Sequence, residues 1–189
     1  VIDEKWINIP IEFIHQIITK HKITALRVCS TEMLHKLLEA DYAKQLSAIT
    51  ELDLEWDAWV NRGFQPGFLR EMNVVVRDTL NDACRLEALP ETIGNLSNLT
   101  TLKLGRNGIT ELPASICQLT KLTVLHLNSN KISALPAGFE KLTALETLDL
   151  SSNTFPEIPE AICSLINIKK LNFSWNREIE TIPEDLSKL

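Results

Sequence analysis

Glycine is scarce in this chain, six among 189 residues, and none is grouped as a phosphate-cradling loop requires. No G-x-x-x-x-G-K loop, G-x-S-x-G elbow, C-x-x-C pair or H-E-x-x-H helix occurs. The four histidines (His15, His21, His35 and His126) fall on different segments and suggest no shared metal site. No apolar run approaches the ~20 residues that cross a bilayer, so no membrane span is expected. Basic charge is not in excess either: 19 Lys and Arg stand against 25 Asp and Glu, a net charge of −6. That balance makes nucleic acid an unlikely main partner, because phosphate binding draws its affinity from clustered cations. The acidic cluster of Glu51, Asp53 and Glu55 lacks the second element that general acid–base work needs. Neither a catalytic residue nor a cofactor is expected within residues 1–189.

What the chain does have is a period. Leu99, Leu122, Leu145 and Ile168 each open a block of the form L-x-x-L-x-L-x-x-N, and the openings are 23 residues apart. The blocks run Leu99-Leu102-Leu104-Asn107, Leu122-Leu125-Leu127-Asn130, Leu145-Leu148-Leu150-Asn153 and Ile168-Leu171-Phe173-Asn176. A fixed period of this length outranks local propensity and marks a solenoid. Positions four and six lie two apart, so in a strand they face one side, inward, while three and five face out. Asn at position nine ends the strand, and its amide can bond to backbone groups of neighbouring coils in a ladder. Leu-Pro or Ile-Pro then follows. The residue before Pro is held extended, and Pro starts a short helical or 3-10 turn because its missing N–H is not needed there. Ile116 and Leu119, with their counterparts in later coils, close the core from the convex side. No coil buries its apolar face alone, so stability comes from stacking.

The same frame extends weakly toward the N-terminus. Residues 1–9 read as an extended lead-in with Trp6 over an exposed end, and Pro10 opens a helix to about Lys20. Ile23, Leu26 and Val28 fit the apolar frame, and a second helix is expected from Ser30 or Thr31 to about Leu46. Ile49, Leu52 and Leu54 fit again, with Asp57 at position nine. Residues 56–84 break the frame, for Gly63, Pro66 and Gly67 cannot sit in one continuous helix. Two registers compete there, one through Leu69, Met72 and Val74 with Arg77 ninth, the other through Val76 and Cys84. A strand near 73–76 and an irregular loop through 82 are expected. The domain reading is thus 1–84, irregular helix-bearing coils and cap, and 85–189, regular repeats. Because the chain opens at Val1 without Met and stops part-way through a repeat, a longer parent protein is expected. Late in the array, Arg177–Glu178 contains a one-residue insertion that delays Ile179.

The cysteines argue against an oxidising compartment. Cys117 and Cys163 share a repeat position two coils apart, about 10 Å at the usual strand spacing. A disulfide requires Cα atoms within ~7 Å. Cys84 takes a ninth position and Cys29 lies on an early strand. All four are expected reduced, in a cytoplasmic protein.

The candidate site is the concave face. Position five reads Arg27, Asp53, Lys103, His126, Asp149 and Asn172, with Glu51, Glu55 and Asn128 beside it. Position eight carries Trp56 and Arg106 early, and Trp175 late. The charges alone describe a solvated face, but outward Trp is costly in water and over-represented where proteins bind. Against this, Trp175 could instead pack beside the inserted residue and Trp56 under the irregular loop. Trp59 is assigned to the core. The expected partner is a protein, the expected state a monomer. Acidic groups gather near the N-terminal coils and basic ones in the middle, which predicts a partner with the opposite arrangement.

The segment LPASICQLTKLTVLHLNSNKI (Leu112–Ile132) resembles the plant intracellular Ras-group-related class of leucine-rich repeats. Similar repeats occur in animal Ras-pathway scaffolds and in effectors that bacterial pathogens inject into host cells. The resemblance covers Leu86–Leu189 strongly and the earlier residues weakly. It implies an α/β, right-handed leucine-rich repeat solenoid with a concave parallel sheet, long convex helices in the N-terminal coils and short turns later. It implies a protein-binding module. The alternative is the substrate-recognition domain of a larger bacterial effector, acting in the host cytosol, whose ubiquitin-ligase-like catalytic domain lies outside these residues.

Overall fold

The computed structural model describes residues 25–29, 46, 49–54, 74–77 and 85–188. The lead-in, both N-terminal helices and the tryptophans at 6, 56 and 59 lie outside the described residues. Seven parallel strands form one sheet: β1 (Ala25–Cys29), β2 (Glu51–Asp53), β3 (Val74–Arg77), β4 (Thr101–Lys103), β5 (Val124–His126), β6 (Thr147–Asp149) and β7 (Lys170–Asn172). Each repeat contributes a strand of three residues, because only positions three to five run extended before the chain turns. Short 3-10 turns cover the other side: Glu91–Asn95, Ala114–Gln118, Phe139–Lys141, Glu160–Ser164 and Glu184–Lys188. Pro90, Pro113 and Pro159 stand immediately before three of them with φ of −72°, −65° and −62°, so proline opens each of these turns, as the Leu-Pro signal predicts.

The inward register is the expected one. Leu52, Leu102, Leu125, Leu148 and Leu171 are direct neighbours across β2, β4, β5, β6 and β7. Ile116, Phe139 and Ile162 close the same core from the turn side, each fully buried. Burying such a side chain stabilises the fold by about 1.5–3 kcal/mol, and one continuous column of them ties coil to coil.

The asparagine ladder is equally regular. Asn130 Nδ2 donates to Leu104 O of the preceding coil at 2.9 Å and to Leu127 O of its own at 3.0 Å. Its Oδ1 accepts the Ile109 N–H at 3.1 Å. Asn107, Asn153 and Asn176 repeat this pattern, with Asn107 reaching Leu54 O at 2.8 Å. The ladder therefore crosses from the N-terminal coil straight into the first regular one.

That crossing corrects the expected order of coils. The strand between β2 and β4 in sequence is not between them in space: the sheet runs β3-β1-β2-β4-β5-β6-β7. Thr50 O accepts the N–H groups of Thr100 and Thr101, and Leu54 N–H donates to Lys103 O. With the edge of β2 taken, the β-branched run Val74-Val75-Val76 pairs along β1 instead. Its register is also new. Val74 and Val76 align with Leu26 and Val28, at positions four and six, which neither candidate frame predicts.

The insertion after Asn176 does what its length requires. In earlier coils the N–H two residues past the asparagine reaches the next coil's asparagine. In the last coil Ile179 N–H turns back to Asn176 O of its own coil, at 3.3 Å.

Candidate functional site

The outward positions form the predicted columns. Arg27, Asp53, Lys103, His126, Asp149 and Asn172 lie in one unbroken register across six strands, with Val75 beyond Arg27. At about 4.8 Å per strand the row spans about 24 Å. Glu51, Thr101, Val124, Thr147 and Lys170 form the parallel row at position three. Glu55 and Trp56 lie outside the described residues, and for Arg27 the backbone position alone is described.

The predicted separation of charge does not hold. Because no coil intervenes between β2 and β4, Asp53 is the direct neighbour of Lys103, and Arg27 flanks Asp53 on the other side. Acid and base alternate on adjacent strands instead of forming two patches. Beyond them comes an uncharged centre of Thr101, Val124, Thr147 and Asn128, with His126 half-buried in it.

Two features of this face escaped sequence reasoning. The first is that Arg106, Ser129, Ser152 and Trp175 all adopt left-handed backbone, with φ of 59°, 57°, 55° and 64°. Position eight pays this cost, about 1–2 kcal/mol for a side chain with Cβ, because its N–H reaches the next coil. Arg106, Ser129 and Ser152 donate to Asn128, Ser151 and Ser174 carbonyls, each at 2.8 Å. Trp175 keeps the same conformation with its side chain 73% exposed. It is not packed away beside the inserted residue.

The second feature is side-chain locking at position five in the last two coils. Asp149 Oδ1 accepts the Ser151 N–H at 2.9 Å and its hydroxyl at 2.6 Å. Asn172 Oδ1 accepts the same groups of Ser174, at 3.1 and 2.8 Å. The signal in the sequence is the D-x-S and N-x-S spacing, a local side-chain-to-backbone turn. Locked side chains lose little freedom on binding, so they favour recognition.

Among the described residues no group of three His, Cys, Asp or Glu could hold a metal ion, and no helix is long and apolar enough to cross a membrane. On the opposite side of the solenoid, Cys117 and Cys163 are not joined in a disulfide, and the Cys117 thiol donates to Ala137 O at 3.6 Å. Burial pushes the Cys117 thiol above its ordinary value, the Glu140 carboxylate adds to the rise, and Lys141 works against it.

Comparison with known proteins agrees with this geometry. A model of the leucine-rich repeat region matches residues 79–189, more than half of the chain. The chain belongs to the leucine-rich repeat family. No curated protein matches it in sequence. Among solved structures it is similar to the leucine-rich repeat ectodomain of the plant membrane receptor kinase GASSHO1/SCHENGEN3 from Arabidopsis thaliana, determined in complex with CASPARIAN STRIP INTEGRITY FACTOR 2. The identity is 25% and the TM-score 0.55 over 81% of this chain and 15% of that one. The ectodomain of the Arabidopsis thaliana receptor kinase SOBIR1 is similar at 27% identity and TM-score 0.50, over 74% of this chain and 63% of that one. The repeat chain thus spans less than two thirds of either receptor ectodomain.

Proposed function

We propose that this leucine-rich repeat chain is a protein-recognition module that holds its partner on the outward rows of the sheet. The observation that carries this is the unbroken position-five row from Arg27 to Asn172, six residues that no core position dictates. The similar receptor ectodomain solved in complex with CASPARIAN STRIP INTEGRITY FACTOR 2 supports the same reading. Alternating charge around Asp53 and Lys103, an uncharged centre and the locked Asp149 and Asn172 define the partner. It should present an acid–base pair at one end, small or apolar groups in the middle, and a hydrogen-bonding pair at the other.

The test is affinity for a partner selected from a displayed protein library. Asp53→Lys and Asn172→Ala should each weaken binding by about 1–2 kcal/mol, and salt should slow association. Convex changes such as Glu140→Ala and Lys121→Ala should leave binding unaltered. Unchanged affinity in both row variants, with binding lost in a convex one, would refute this assignment.

A reducing, cytoplasmic setting is part of the proposal, supported by Cys117 and Cys163, which form no disulfide. Protein purified without reductant and then denatured should titrate all four of its cysteines as thiols. In the native protein Cys117 should react slowly, because the thiolate is the reactive form and the raised thiol keeps its proton. A count of two would mean a disulfide and would overturn the assignment.

A further inference from the structure

The ladder asparagines are equivalent in the fold but not in the chain. Asn130, Asn153 and Asn176 precede Lys131, Thr154 and Arg177, whereas Asn107 precedes Gly108, the one Asn-Gly step in 189 residues. Glycine carries no Cβ, so nothing hinders its backbone nitrogen from reaching the side-chain carbonyl of the residue before it. The fold itself does not require glycine here. Among the described residues the glycine with positive φ is Gly138, not Gly108. A Cβ on Gly108 would lie 3.6 Å from Leu86 O and 3.8 Å from Glu87 Cγ, which is ordinary van der Waals contact.

One residue of the neighbouring coil keeps the two reacting groups apart. Leu86 N–H donates to Asn107 Oδ1 at 3.1 Å, and Leu86 O accepts the Gly108 N–H at 2.8 Å. Asn107 Nδ2 donates to Leu54 O, Leu104 O and Gly105 O at 2.8, 3.0 and 3.2 Å. The side chain is buried as well. Electrophile, nucleophile and leaving group are therefore all engaged, and they are released together only when Leu86 lifts away. Such local opening precedes global unfolding in many folds.

We infer that Asn107–Gly108 is a self-modification site that records opening of the seam between β2 and β4. With the Leu86 bonds broken, Gly108 N attacks Asn107 Cγ. The new C–N bond forms as the Cγ–Nδ2 bond breaks, and Nδ2 leaves as ammonia with the Gly108 proton. Water then opens the cyclic imide. Cleavage at Cγ leaves aspartate on the original main chain, and cleavage at the main-chain carbonyl carbon leaves isoaspartate. Neither product restores the joint. Aspartate sets a carboxylate against three carbonyl oxygens, one of them Leu54 O across the seam. Isoaspartate lengthens the main chain by one atom and takes the Gly108 N–H out of register with Leu86 O. Ile109 and Ile132 bond to Asn130 with Lys131, and to Asn153 with Thr154, as Leu86 does to Asn107 with Gly108, but no glycine follows there. Opening of those coils leaves no such mark.

Mass-spectrometric mapping of the 189-residue chain, aged at mildly alkaline pH both folded and in guanidinium chloride, tests this. In the unfolded chain Asn107 should convert before any other asparagine, and Gly108→Ala should suppress the conversion while leaving the fold intact. Folding should slow it about a hundredfold or more, because the rate follows the open population. Conversion at Asn107 and amide exchange at Gly108 should rise together in denaturant too dilute to unfold the chain. Asn107→Asp, one of the two products, should speed amide exchange at Leu54 and Thr101, which bond across the seam, and spare Leu127. Equal conversion rates in the folded and unfolded chain would overturn the inference, as would another asparagine converting first. Unchanged exchange at Leu54 and Thr101 in Asn107→Asp would do the same. Should that variant fail to fold, the rates on the unsubstituted chain decide the matter.

Discussion

Leu125→Ala is expected to destabilise the regular array strongly, by about 2–5 kcal/mol. Leu125 is fully buried, and it lies between Leu102 and Leu148 on the adjacent strands, both also buried. Truncation removes the transfer energy of three carbons and leaves a cavity bounded on two sides by coils held in place by their own ladders, so little collapse can fill it. The very next residue faces the other way: His126→Ala, on the outward row, should stay within about 1 kcal/mol. Leu171 holds the same repeat position but is only partly covered, so Leu171→Ala should cost distinctly less than Leu125→Ala. Urea titrations followed by circular dichroism check the series. Equal losses at Leu125 and His126 would mean that the inward register is wrong.

The second large effect is expected at Asn130. Its side chain bonds to four backbone groups, the carbonyls of Leu104, Leu127 and Asn128 and the N–H of Ile109, in a buried position. Asn130→Ala strands the Ile109 N–H and takes one donor from each carbonyl, leaving Leu104 O with Asn107 Nδ2 and Leu127 O with Asn153 Nδ2. At about 1–3 kcal/mol for a stranded buried group, a loss of about 1–3 kcal/mol is expected. Asn130→Asp keeps the shape but places a carboxylate against two carbonyl oxygens. The folded state then favours the protonated acid, so the variant's folded pKa lies above its unfolded one. The contribution is present below the unfolded pKa and disappears as pH rises through the folded one. Asn130→Asp should therefore be closest to the parent near pH 4 and weakest above neutrality. A pH-independent difference between the two proteins would show that the carboxylate is solvated and that the ladder is not buried.

Much of this was readable from residue spacing. Leucines two apart, repeated at 23, identify the inward face, the asparagine ladder and the proline-opened turns, because each depends on neighbours along the chain. The position-five row was readable for the same reason. Its chemistry was not, since D-x-S at Asp149 and N-x-S at Asn172 look like any polar triplet until the hydroxyl is seen folded onto the side chain. Left-handed backbone at Trp175 carried no signal either, because bulky residues rarely adopt it.

By itself, then, the sequence determined the coil: what faces in, what faces out, where the chain turns, and that such coils must stack. Only the tertiary structure decided which coils are neighbours. Val74–Arg77 could pair with either free strand edge, because lengthening a loop costs little extra closure entropy and spacing does not discriminate between edges. The choice fell to the edge of β2, which Thr100, Thr101, Lys103 and Asn107 fill with hydrogen bonds in the repeat's own register. From that one competition follow the position of β3, the pairing of Asp53 with Lys103 across adjacent strands, and the alternating charge a partner would meet.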